Sequence, residues 1–227
     1  MGGLTDQAGG SKLDGEEQIA RAHKAWETSM SRRIDQVRNE VRERNLQTLA
    51  LYTGAELNEE TLGFSYWGRQ VSLSWPDLDA VYLPDGGACS VFDQGMLLYY
   101  LNTADGSELA DRWISFRELP DGAFYNQAFQ GYSGDLVAQR FGEDVDGFHA
   151  AAHHLDGFQL PALAPAAYAF APLPRIRLAL ALWPGDEDFP SRASVLFDAS
   201  ASHYMTTDGL ALLGAGLRQR ILRAITE

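Results

Sequence analysis

The chain is 227 residues long, with 45% hydrophobic and 22% charged residues, a composition that suits a globular protein with one sizeable core. Its formal net charge is −13, and the charge is unevenly placed: residues 1–50 hold eight basic and eight acidic side chains, leaving ten against twenty-three for the rest. Such an acidic body repels phosphate backbones and anionic lipid, so neither nucleic acid nor a membrane surface is an expected partner.

In chain order, residues 1–15 are Gly-rich and polar, and disorder is expected there. They have neither the basic end nor the apolar stretch of a secretory signal, and no apolar run reaches the length of a membrane span; a cytoplasmic location is the expectation. From Glu16 to Arg44 there is no Pro or Gly, and Ile19, Ala22, Trp26, Met30, Ile34, Val37 and Val41 recur at spacings of three and four. That pattern predicts one long helix, residues 16–45, with a narrow apolar seam. The seam serves either a partner, including a second copy of the chain, or the helix's own domain.

The rest, residues 46–227, reads as one domain. Asn45–Tyr52 continues helically toward a C-cap at Gly54. Thr61–Trp67 and Arg69–Trp75 form a strand pair about Gly68, with Phe64, Tyr66, Val71 and Leu73 facing inward, and Ala80–Leu83 adds a short strand. Ser90–Leu101 is a buried helix and Trp113–Phe116 a short apolar run. Helices follow over Gly122–Phe129, Ser133–Phe141 (capped by Ser133) and Val145–Leu155, before an Ala/Pro-rich piece, 161–174, that joins a sheet edge. Ile176, Leu178, Leu180 and Leu182 alternate with smaller or polar residues, and Ala193–Phe197 resumes as a second strand. After a polar loop, Thr206 or Thr207 caps an amphipathic helix carrying Leu210, Leu213, Leu217, Ile221 and Leu222. The sum is an α+β fold: a single domain with an antiparallel sheet covered by helices, preceded by one long helix.

Three segments, residues 111–120 (DRWISFRELP), 182–190 (LWPGDEDFP) and 196–204 (LFDASASHY), resemble the prokaryotic domain family of unknown function DUF3786 over roughly residues 48–225. Members of that family often occur beside, or fused to, a four-cysteine iron–sulfur domain in anaerobic, corrinoid-linked settings. The resemblance therefore implies tetrapyrrole or redox surroundings without assigning an activity. This chain departs from that arrangement in having one cysteine, Cys89, and a long helix in front.

Chemistry is narrowed further by what the chain lacks. One cysteine excludes an internal disulfide or a four-thiolate cluster. Lys12 and Lys24 are the sole lysines, so the folded body offers no phosphate-loop, Schiff-base or kinase-type lysine. No Gly-x-Ser-x-Gly elbow is present. The turn Asp186-Glu187-Asp188 and the run Gly142–Gly147 both lack the ligand ladder of a calcium loop. Cys89 precedes a helix start, where a thiol pKa can fall, but no base is assignable to it.

Two constellations remain. The first joins His203, Tyr204 and Asp198 with Arg117, Glu118, Phe124 and Tyr125, groups that sit where strands stop. Here Arg117 would anchor an acidic group, Tyr125 and Tyr204 line a pocket, and His203 contact a polar or metal centre. The second is His149 and His153, four apart on one helical face, with Asp146 three residues ahead and His154 next door; the pair suits a transition metal. A zincin would need Glu where Ala150 stands. In each case the alternative is ordinary packing, capping or solvation of the same side chains. The expected role is binding of a small planar or anionic ligand, such as a tetrapyrrole, or of a partner protein. The alternatives are a metal-dependent enzyme, hydrolytic or redox, working through His149 and His153 or His203, and a purely interacting protein that assembles through residues 16–45.

Overall fold

The structure, a computed structural model, describes residues 34–224; the expectations for residues 1–15 and for the helix up to residue 33 lie outside the described residues. Helix α1 runs over 34–42 and then stops. Asn45, read above as a continuation, is instead the N-cap of a new helix, α2 (Leu46–Thr53), its side chain accepting from the Thr48 N–H at 2.9 Å. A side-chain acceptor there satisfies a first-turn donor that would otherwise have none, which favours the break. Gly54 closes α2 in the left-handed region, φ 69°. The α1 seam residues Val37 and Val41 are buried in the domain's own core. Arg38 and Arg42 tie α1 down, Arg38 to the Asp79 carboxylate at 2.9 Å and Arg42 to the Pro76 carbonyl at 2.8 Å. Over 34–42, then, the apolar seam is used internally.

Strands β1 (Glu56–Asn58), β2 (Thr61–Tyr66), β3 (Arg69–Ser74) and β4 (Ala80–Tyr82) make an antiparallel meander in that order. Trp67 and Gly68, both left-handed at φ 51° and 77°, form the two-residue turn that sets Tyr66 opposite Arg69. Period-two patterning then sends Phe64, Tyr66, Val71 and Leu73 inward, as expected, together with Leu62. Helix α3 (Val91–Thr103) starts at Ser90, whose hydroxyl accepts from the Asp93 N–H. At the far end of α3 the Arg44 guanidinium donates to the carbonyls of Leu101, Asn102 and Ala104 at 2.5–2.9 Å.

The second sheet, also antiparallel, has the order β5 (Trp113–Ser115), β9 (Arg192–Asp198), β8 (Ile176–Trp183), β7 (Ala166–Leu173), β6 (Phe158–Gln159). The expected α+β class holds, with the strands divided between two sheets. Residues 166–173 lie inside the second sheet rather than at its edge, since β6 pairs outside them. Ile176, Leu178, Leu180 and Leu182 are fully buried, each contributing about 1.5–3 kcal/mol of transfer free energy. Ala179 and Ala181 on the opposite face are buried too. The two sheets are joined by the Trp67 N–H, which donates to the Pro172 carbonyl at 2.9 Å.

Between β5 and β6 the chain forms a 3-10 turn, η1 (Phe116–Glu118), and three helices, α4 (Gly122–Tyr132), α5 (Gly134–Phe141) and α6 (Val145–His154). Helix α5 lies on β8 and β9, and at Gly134 a Cβ would collide with the Ala193 carbonyl. Ser133 does not cap α5 through its side chain; its hydroxyl donates back to the Phe129 carbonyl at 2.5 Å. After β9 come a second 3-10 turn, η2 (Ala201–His203), and α7 (Thr207–Arg223), which packs on α4, α5 and α6.

Candidate functional site

Where η1, α4, η2 and the start of α7 meet, they line an open cavity of about 630 Å³. One wall is aromatic. Phe116 of η1 stacks on Phe129 with ring centroids 4.2 Å apart, and Tyr125 tilts against both Phe116 (6.5 Å) and Tyr132 (6.2 Å). Tyr125 and Tyr132 stand seven residues apart on α4, two helical turns, so both rings reach the same side. Burial, with Tyr125 beside it, pushes the Tyr132 phenol pKa up, so that hydroxyl stays protonated at neutral pH. The facing wall comes from Met205 and, on α7, Ala211 and Leu212.

The polar rim is small. Thr206, the N-cap of α7, makes no side-chain cap bond, so the first-turn N–H groups of α7 gain no acceptor from it. Thr207 donates its hydroxyl to the Pro120 carbonyl at 2.6 Å and so clips α7 to the η1–α4 connection. Asp121, at φ 58°, opens α4, and Asp208 sits in the first turn of α7. Both line the cavity, and they are the only charged side chains that do so among the described residues.

Of the residues expected at a shared site, the structure brings Tyr125 to this cavity and leaves the others elsewhere. Arg117 points from η1 into solvent and is not among the lining residues. Its neighbour Glu118 forms a capping box with Ser115, whose N–H donates to the carboxylate at 2.8 Å. Phe124 is 94% exposed. His203 also stands outside, its Nδ1 lying 2.7 Å from an Asp105 carboxylate oxygen and 3.1 Å from the Ser107 hydroxyl. Burial raises the Asp105 pKa, but the hydrogen bonds from His203 and Ser107 outweigh it and hold the carboxyl at about 2. Tyr204 is fully buried and donates its hydroxyl to the Ser107 carbonyl. Asp198 is buried at the end of β9, accepting from the Ser200 N–H (2.9 Å), the Ser200 hydroxyl (2.6 Å) and the Ala110 N–H (2.9 Å). These three side chains pin loop 104–110 to the end of the second sheet.

A family model described as a domain of unknown function, DUF3786, matches residues 45–220. The chain belongs to the DUF3786 family. No curated protein and no solved structure matches it. The matched region of this DUF3786 domain begins at the N-cap of α2 and ends within α7, so it takes in both sheets and the whole cavity, while α1 lies outside it.

The DUF3786 domain holds its histidine pair differently from a simple two-ligand site. His149 and His153 of α6 both reach the Tyr168 hydroxyl on β7, Nδ1 of His149 at 2.7 Å and Nε2 of His153 at 3.2 Å. Asp146 and His154 are exposed, and no three His, Cys, Asp or Glu side chains cluster for a metal among the described residues. In the sequence Tyr168, with Phe170, marked only an extended piece at a sheet edge, and nothing there linked it to the two histidines. Nor does Cys89 follow the expectation of a lowered pKa: burial and the nearby Asp93 carboxylate push the thiol up. Among the described residues no helix is long and apolar enough to cross a membrane.

Proposed function

We propose that this DUF3786 domain binds a small, largely apolar molecule in the cavity between η1, α4, η2 and α7, with the aromatic rings of Phe116, Tyr125 and Tyr132 along one side of the ligand. The observation that carries the reading is the cavity itself, about 630 Å³ with an aromatic wall and a few polar side chains in its lining. Ligand sites have this size and this balance, concave and mostly apolar with a few polar groups that fix orientation. The rim favours a ligand whose polar end is neutral or cationic. Its charged groups are Asp121 and Asp208, and the body around it is acidic. Arg117, the anchor for an anionic group in the sequence-based expectation, stands outside the lining, which moves the reading away from carboxylate-bearing tetrapyrroles. The single, half-buried cysteine fits a reducing, cytoplasmic setting.

The test is a fluorescence titration with N-phenyl-1-naphthylamine, a neutral aromatic probe. Saturable one-to-one enhancement is expected, weakened about tenfold in Tyr125→Ala because an aromatic contact and its buried area are lost. A non-saturating signal, or one indifferent to Tyr125, contradicts the reading.

A further inference from the structure

The Tyr168 hydroxyl has one proton and two imidazole neighbours. If His149 Nδ1 accepts that proton across 2.7 Å, His153 must present Nε2–H to the oxygen across 3.2 Å, or the roles are reversed. The three heteroatoms are held from two rigid elements. His149 and His153 are one turn apart on α6, and Tyr168 is on an interior strand of the second sheet, its ring fixed edge-on by Phe148 at 5.9 Å. His149 is half-buried and His153 exposed, so the cluster opens to solvent on one side.

The two oxygen–nitrogen separations are also near those between ligands of one metal ion. Bonds of about 2.0–2.1 Å at tetrahedral to right angles put neighbouring donor atoms roughly 2.9–3.4 Å apart. The Tyr168 oxygen lies 2.7 and 3.2 Å from the two nitrogens, close to that range before any ion is bound. We propose that His149, His153 and Tyr168 form a transition-metal site, with two imidazole nitrogens and one phenolate oxygen as ligands and copper(II) as the preferred ion. Imidazole nitrogens suit copper, zinc and nickel, and among divalent ions of this series copper(II) binds such donors most tightly. On binding, the Tyr168 O–H bond breaks, an O–metal bond forms and the proton passes to solvent; both imidazoles turn a lone pair to the ion, and water completes the shell from the open side. None of the three residues lines the cavity assigned above to an apolar ligand, so the two proposals stand or fall separately.

The experiment uses the untagged full chain, stripped with a chelator and titrated with copper(II) sulfate under calorimetry and visible absorption. The expected result is one tightly bound copper per chain with a phenolate-to-copper charge-transfer band. Tyr168→Phe, which keeps the ring, should abolish the band, and His149→Ala should weaken uptake at least tenfold. His154→Ala, one residue beyond the pair, should behave as the unaltered protein. Circular dichroism and thermal melts identify any variant that has failed to fold, and Tyr168→Phe and His149→Ala can be judged independently of each other. The proposal is overturned if no band develops, if the band survives in Tyr168→Phe, or if folded His149→Ala takes up copper as the unaltered protein does.

Discussion

Asp105 lies against His203, with about half of each side chain still exposed. The Asp105 carboxyl, held at about 2 against an ordinary 3.8, is ionised over a wider range in the folded than in the unfolded state. Its contribution is therefore complete above pH 3.8 and is lost as pH falls through about 2. Solvent screening limits it to about 1 kcal/mol or less. Asp105→Asn should thus lower urea stability slightly at pH 5, by an amount that shrinks toward zero near pH 2. Asp198 is the costlier residue. Its buried carboxylate accepts three hydrogen bonds, so Asp198→Ala leaves buried donors without a partner and should cost about 2–4 kcal/mol, read as a shift in the urea midpoint. Neither role was legible in the sequence. Asp105 and Ala110 lie about ninety residues before His203 and Asp198, in a stretch that reads only as the end of a helix and a loop. Sequence spacing identifies the polar residue but not the distant group that uses it.

At the scale of the element, local chemistry carried further. The turn about Gly68, the Gly54 stop and the two strands of 176–183 and 192–198 all follow from short-range pattern, and all are present. The pattern failed at Asn45 and Ser133, where the same residue types served a different terminus or a backward hydrogen bond. Gly122 starts α4 so close to η1 that a Cβ would collide with the Phe116 carbonyl, and Gly122→Ala should force the two apart. The expected outcome is a lower melting temperature together with weaker probe binding, since Phe116 and Tyr125 stand on either side of that junction. Arg44 caps three carbonyls at the end of α3, and Arg44→Ala should cost about 1.5–3 kcal/mol without changing probe affinity. Tyr132 was missed because the helix was expected to end at Phe129, whereas α4 runs on to Tyr132 and so brings that ring to the face of Tyr125.

For the molecule as a whole, the α+β class could be read from alternating and helical periodicities, while the topology could not. Strand β5 joins β9 across more than seventy residues of intervening chain, and β6 closes the opposite edge. That arrangement places η1, η2 and the starts of α4 and α7 side by side, and the cavity is a product of the assembly and not of any one segment. The sequence-based expectation put Arg117 and His203 at the centre of a shared site; both lie outside the proposed cavity, where Phe116, Tyr132 and Ala211 surround Tyr125. The acidic body adds a field that favours a cationic over an anionic version of the same aromatic probe, a preference that should fade as added salt shortens the screening length.

The measurement that separates these arrangements most directly is a side-by-side N-phenyl-1-naphthylamine titration of the unaltered chain, Ala211→Phe and Arg117→Ala. Ala211 faces the cavity from α7, and a phenyl ring there occupies the space a ligand would take. Folded Ala211→Phe should bind the probe at least tenfold more weakly, and Arg117→Ala should bind it as the unaltered chain does. Undiminished binding in Ala211→Phe, or a loss confined to Arg117→Ala, would contradict the proposed site.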